Sequence, residues 1–369
     1  MGKTLSLGNI CGIELRADFS WLIGFGLFVW VLAANYFPNE YPEWTPDATI
    51  WAAIATTFLI YASIVTHELG HSLVSNRLGL PVSRITLFIL GGLSHLNREP
   101  DRPKQDFLIA AAGPMASLLL ALGFSSLILT GPGVAGVPLA AFGKLLGVIN
   151  LGLALFNLLP GLPLDGGRIL RAILWARLND FHKATQAASV SGQLVAFGLI
   201  LWGFFLFTED SWGDGLWIAY LGWFIQQAAT QTQLRLKLQA RLAGHSARKA
   251  MRSDYPRVKQ TLTIQQLADM LLIKRRQCAQ VGVGKRTIGM VTLQAIRAIP
   301  YKYWTTTPVS AAMIPFKELK SVSPDTGLFE VITQMAEANL NQLAVVEDGQ
   351  LVGVIGRDNI LSYLQARVG

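Results

Sequence analysis

The chain has 369 residues, 51% of them hydrophobic and only 15% charged, with a mean hydropathy of +0.40 and a formal net charge of +8. This balance excludes a disordered chain and lies outside the composition of an ordinary soluble enzyme. The 35 Gly, 10 Trp and 18 Phe fit closely packed helices with aromatic residues at a membrane interface.

Taken in chain order, Met1 to Asp18 reads as a short polar hairpin. No apolar stretch with a small-residue cleavage site precedes the first long apolar run, so no cleaved leader is expected. A helix needs roughly 20 apolar residues to cross hydrocarbon. About six segments qualify, at 19–37, 48–74, 107–130, 139–160, 189–207 and 214–230. Between the second and third, Val82 to Leu96 is β-rich. Cys11 and Cys278 match neither a disulfide framework nor a CxxC metal site and read as packing residues.

Charge divides the chain after Thr230. The first part carries 12 Lys+Arg against 14 Asp+Glu and the second 19 against 9, giving net charges of −2 and +10. The second part reads as a soluble basic domain whose charge suits anionic lipid or nucleotide phosphate. No nucleic acid is expected as a direct partner. Short cytoplasmic loops are enriched in Lys and Arg. Arg77, Arg84, Arg98, Arg102 and Lys104 follow the second segment, and Arg168, Arg171, Arg177 and Lys183 follow the fourth. The loops with Glu40, Glu43 and Asp47, and with Glu209, Asp210 and Asp214, face the other side. Both termini are then cytoplasmic. Lys144, near the outer end of the fourth segment, is expected to snorkel to the interface.

The second segment ends in His67-Glu68-Leu69-Gly70-His71, an HExxH at the inner end of an apolar helix. Positions i and i+4 share a helix face, so His67 and His71 can hold one Zn²⁺ while Glu68 serves as general base on a zinc-activated water. Three ionisable side chains facing lipid would each cost roughly 2 to 3 kcal/mol, so they must face a polar interior. A catalytic zinc usually takes a third protein ligand. His95, His182 and His245 share no spacing motif and read as solvated or locally bonded. The fourth segment ends Asn157-Leu158-Leu159-Pro160-Gly161-Leu162-Pro163-Leu164-Asp165-Gly166-Gly167, whose Pro and Gly break a helix at membrane depth. Irregular backbone there must be buried in protein or line a wet cavity. Asp165 can thus be carried to the zinc, and Asn157 can offer its amide to a substrate backbone.

Together these residues resemble the site-2 protease family of intramembrane zinc metalloproteases. The resemblance implies one zinc per chain held by His67, His71 and Asp165, with Glu68 as general base and Asn157 as a substrate-positioning residue. It extends to Phe88-Ile89-Leu90-Gly91-Gly92, where Gly91 and Gly92 would bind an unwound substrate by strand addition. Ala112-Gly113-Pro114 also looks family-like, as helix packing. Implied substrates are single-span membrane proteins such as membrane-tethered regulators, anti-sigma factors or remnant signal peptides. The implied setting is a bacterial or cyanobacterial plasma membrane, or a plastid counterpart.

In the tail, Ala250-Met251 recurs at Ala312-Met313, and Gly289-Met290-Val291 at Gly353-Val354-Ile355. That is a tandem unit of about 60 residues, similar to a pair of cystathionine-β-synthase (CBS) domains. The pair implies either adenosine-nucleotide binding or a structural module that makes a homodimer; of the family's hydroxyl and, three residues on, Asp, the first copy has Thr292 but Ala295, and the second Gly356 and Asn359, with Asp358 one place early. The whole chain is expected to be a polytopic α-helical membrane protein with a short membrane-associated β segment, followed by an α/β tandem CBS domain. Its divisions are expected at 1–230, 231–247, 248–306 and 307–369. The alternative is a CBS-regulated ion channel or transporter.

Overall fold

Cys11 and Gly12 both take positive φ, 52° and 82°, and turn strand β1 (Thr4–Ile10) back onto β2 (Ile13–Asp18). Cys11 is therefore exposed at a hairpin tip and does not pack in a core, contrary to the reading from sequence. Asp18 closes β2 and caps helix α1 (Phe19–Val31), its carboxylate accepting from the Ser20 amide at 3.0 Å. This computed structural model describes residues 4–88, 91–96, 99–130, 136–209, 212–274, 276–283 and 286–365. Ile89 and Leu90 of the Gly-Gly stretch and the side chain of His95 lie outside the described residues.

A π-helical turn, Leu32–Tyr36, joins α1 to α2 (Phe37–Glu40). Thr45 then caps α3 (Pro46–Arg77). Strands β3 (Val82–Phe88) and β4 (Gly91–Leu96) complete a sheet of order β1-β2-β3-β4, with β2 and β3 parallel and the other pairs antiparallel. The β-rich reading of Val82 to Leu96 is thus matched, and β4 forms a sheet edge. Helices α4 (Pro103–Ser126), α5 (Gly136–Asn157), α6 (Asp165–Leu178), α7 (Phe181–Thr208) and α8 (Trp212–Leu242) follow. Helix α4 packs against α3, α5 and α6, and α6 also packs on α7.

Among the described residues, five helical stretches are long and apolar enough to cross a membrane: Phe19–Glu40, Pro46–Arg77, Pro103–Leu129, Leu139–Asn157 and Phe181–Thr208. The expected sixth, 214–230, falls in α8 and is not among them. Its apolar run gives way to Gln226, Gln227, Thr230 and Gln231 before it is long enough. Lys144 has more than an interface to reach, since its Nζ lies 2.7 Å from Glu40 Oε2.

The chain divides into two compact units, Met1–Leu236 and Lys237–Gly369. In the second, α9 (Ala247–Ala250) leads into β5 (Arg257–Val258), α10 (Ile264–Ile273), β6 (Cys278–Val283), β7 (Arg286–Thr292) and α11 (Leu293–Arg297). After β8 (Ile314–Pro315) the same order recurs as β9 (Ser321–Val322), α12 (Leu328–Glu337), β10 (Gln342–Glu347), β11 (Gln350–Gly356) and α13 (Arg357–Gln365). In each copy the first strand pairs parallel with the second, and the second antiparallel with the third.

The two recurring sequence motifs are the two halves of one contact. Arg252, after the first Ala-Met, bridges to Val354 of β11, while β8, after the second, pairs with β7. Each copy's opening segment therefore joins the other copy's sheet. A Cβ on Gly289 would stand 2.5 Å from the Ile314 carbonyl oxygen and 2.8 Å from Met313 Sδ; one on Gly353 would stand 2.9 Å from both the Arg252 oxygen and Met251 Sδ. Glycine recurs there because the exchanged backbone leaves no room for a side chain.

Candidate metal centre

Helix α3 buries one long stripe that includes Thr49, Ala53, Thr56, Ile60, Ser63, His67 and His71. The two histidines on it are 4% and 6% exposed, and their Nε2 atoms are 3.3 Å apart. Asp165 is 8% exposed, and its Oδ2 lies 3.1 Å from both Nε2 atoms. These residues form the cluster among the described residues whose donor atoms converge closely enough for one metal ion.

Asp165 arrives from α6 through an irregular segment clamped on both sides. The Leu162 amide donates to the Ala188 carbonyl of α7 at 3.1 Å, and the Ser191 hydroxyl donates to the Pro160 carbonyl. A Cβ on Gly167 would meet Gly161 at 2.1 Å, and one on Gly192 would meet the Leu162 oxygen at 2.0 Å. The glycines let three backbones cross where side chains would hold them apart.

The outer ring atoms of the histidines are held by α4. His71 Nδ1 lies 2.6 Å from the Ile109 carbonyl, and His67 Nδ1 lies 2.8 Å from Ser117 Oγ. A carbonyl only accepts, so His71 donates from Nδ1, and Nε2 is the ring atom left to face Asp165 and a metal ion. A proton on Nε2 or a cation between the two atoms makes the 3.1 Å approach of Nε2 to Asp165 Oδ2 attractive. Zinc bonds of about 2.0 to 2.1 Å would give tetrahedral edges of about 3.3 Å, close to the 3.1 and 3.3 Å separations observed. The donor set and its spacing therefore fit zinc.

Glu68 follows His67 on the helix and meets β4, where a Cβ on Gly92 would stand 2.7 Å from Glu68 Cγ. Gly92 thus brings a sheet-edge backbone against this carboxylate side chain. Asn157 ends α5, and its Nδ2 donates to the Leu153 carbonyl at 2.9 Å. Ser117, Ile109, Ser191 and Gly192 were not singled out from sequence. The sequence points to Gly113 only as helix packing, yet it faces the histidine rings. One signal was available: Asp106, Ile109, Gly113 and Ser117 recur at helical spacing on one face of an apolar run.

In the second unit the expected nucleotide contact Thr292 has a local partner. Thr292 Oγ1 accepts from the Ala295 amide at 3.1 Å and caps α11. Gly356 stands at the equivalent place before α13, its amide donating to Asn359 Oδ1 at 2.8 Å, and Asp358 lies in the first turn of that helix. His245 Nδ1 lies 3.0 Å from Tyr363 Oη, and His182 sits in the first turn of α7.

The chain matches Peptidase family M50 over residues 55–141 and 133–201, and the CBS domain over residues 309–366. It is 32% identical to a protein of Synechocystis sp. that carries a zinc-metalloprotease name, over 99% of this chain and 96% of that protein. It is also 32% identical to Rip3 of Mycobacterium tuberculosis, likewise carrying a zinc-metalloprotease name, over 96% of this chain and 91% of Rip3. Among solved structures, the site-2 protease from Methanocaldococcus jannaschii is 27% identical, with a TM-score of 0.43, over 62% of this chain and 95% of that one.

Proposed function

The chain belongs to peptidase family M50, and on that premise we propose that this multi-pass membrane zinc metalloprotease hydrolyses peptide bonds within the transmembrane segments of other membrane proteins. The observation that carries the reading is the buried convergence of His67, His71 and Asp165, from two helices, beside Glu68. Permeation through a channel gives no reason for it.

Zinc, when bound, supplies Lewis-acid polarisation of the scissile carbonyl and acidifies the attacking water. Glu68 takes the water proton on a carboxylate oxygen and passes it to the leaving amine nitrogen. A helical substrate must unwind before its carbonyl is exposed, and unpaired backbone in lipid is costly. The β4 edge at Gly91 and Gly92 offers main-chain partners to such a segment, and Asn157 a side-chain amide. Substrates are then single-span proteins, such as membrane-tethered regulators, anti-sigma factors or remnant signal peptides, in a bacterial-type plasma membrane with both of this chain's termini cytoplasmic.

The functional division follows 1–230 for the protease body, 231–247 for the linker, and 248–306 and 307–369 for the two CBS repeats. The pair serves as a regulatory module, through dimerisation or nucleotide binding near Thr292 and Asp358. The test is zinc content and cleavage of a model single-span substrate by detergent-purified protein, wild type beside Glu68→Gln. Zinc in both forms and cutting by the wild type alone is expected. Undiminished cutting by Glu68→Gln overturns the reading.

A further inference from the structure

Asp106 is a fully buried carboxylate in the first turn of α4, and side chains of α6 hold it. Its Oδ2 accepts from Arg171 Nε at 2.8 Å and its Oδ1 from Arg171 Nη2 at 2.9 Å, a bidentate pair; Arg168 Nη2 adds a contact to Oδ1 at 3.3 Å. Both guanidiniums are themselves largely buried, with 14% and 17% of their side chains exposed. The Arg171 guanidinium also lies 5.0 Å over the Phe181 ring, at the start of α7. We infer that Asp106 is a positioning residue for the metal centre: by fixing α6 to α4 it sets where Asp165 Oδ2 meets the two histidines. The inference rests on the zinc reading of that centre.

The geometry links both ends of the arrangement through one helix face. Along α4, Asp106 holds α6, the Ile109 carbonyl holds His71, Gly113 faces both rings and Ser117 holds His67. Residues spaced by three, seven and eleven lie within one narrow stripe of a helix. The third ligand opens α6, and Arg168 lies one turn further along the same helix. Gly166 and Gly167 seat the first turn of α6 against 158–162, and the ion pair ties the following turn to the helix that carries the histidine anchors.

A bidentate Arg–carboxylate pair resists both sliding and rotation, which a single contact does not. Lysine keeps the charge and loses the fork. Groups that orient ligands from outside the coordination sphere typically change metal affinity by about 10- to 100-fold when removed.

The test compares full-length, detergent-purified wild type with Asp106→Asn and Arg171→Lys, using Glu40→Gln as a variant of an ion pair elsewhere in the unit. Zinc affinity is read by competition with a chromophoric chelator, and ligand geometry by the visible absorption of the Co²⁺-loaded protein. Expected is a graded loss, about tenfold or more in Asp106→Asn and less in Arg171→Lys, with altered Co²⁺ bands in both and neither change in Glu40→Gln. Asp106→Asn that is folded by circular dichroism yet keeps wild-type affinity and Co²⁺ spectrum overturns the inference. Should that variant fail to fold, Arg171→Lys decides by the same criterion. Failure of the wild type itself to bind zinc overturns the underlying reading instead.

Discussion

Gly113 touches His71 where a side chain cannot exist: a Cβ at residue 113 would stand 2.2 Å from His71 Nε2 and 2.7 Å from His67 Nε2. The donor atoms of both imidazoles are thereby backed by bare helix. The remaining side of each donor faces the other ring and Asp165.

Gly113→Ala is therefore expected to displace the donor atoms and cut bound zinc to well below one per chain. Alanine favours a helix over glycine by about 1 kcal/mol, so helix stability does not fall. Gly123→Ala, on the same helix with open space around it, should keep full zinc. Metal analysis of the two purified variants checks this; equal zinc in both would contradict it.

A different outcome is expected at Gly92. Its added Cβ would meet Glu68 Cγ at 2.7 Å, a flexible side chain and no metal ligand. Gly92→Ala should keep wild-type zinc while the cleavage rate falls about 10- to 100-fold, part of what a positioned general base contributes. Zinc content and single-turnover cleavage on one preparation separate the two effects.

The second unit has a pH dependence of its own. Burial, reinforced by the Asp358 charge, pushes the Cys278 thiol up from 9.0 to about 12. Below pH 9 the folded and unfolded chains both keep the proton and the contribution to stability is complete. Between pH 9 and 12 the unfolded chain loses it first, so stability falls as pH rises and the contribution is gone above about 12. Replacing Cys278 by Ala should flatten that part of the pH profile of thermal unfolding. At pH 8 a maleimide should label Cys11, which is exposed, and spare Cys278, which is buried. Rapid labelling of both thiols in the native chain would contradict this.

Much of the architecture is legible one residue at a time. Long apolar runs announce spanning helices because lipid offers no partner to a backbone amide, and HExxH announces a pair of ligands because i and i+4 share a helix face. The tail repeat is readable because glycine recurs wherever the exchanged strand approaches. What the sequence blurred was the end of the apolar series: α8 has the aromatic residues of a span but not its length of apolar chain.

The sequence by itself determined the ligand types, their pairing on α3 and the break in the chain before Asp165, because each is a local property of spacing and backbone preference. Only the tertiary structure decided that His71 donates its Nδ1 proton to the Ile109 carbonyl, that Gly113 is a floor beneath two imidazoles, and that Asp106, 59 positions before Asp165, is bonded to its helix. Those relations join residues on different helices. No period along one chain records which helices will touch, since that is settled by how the small residues of α4, α6 and α7 let their backbones approach.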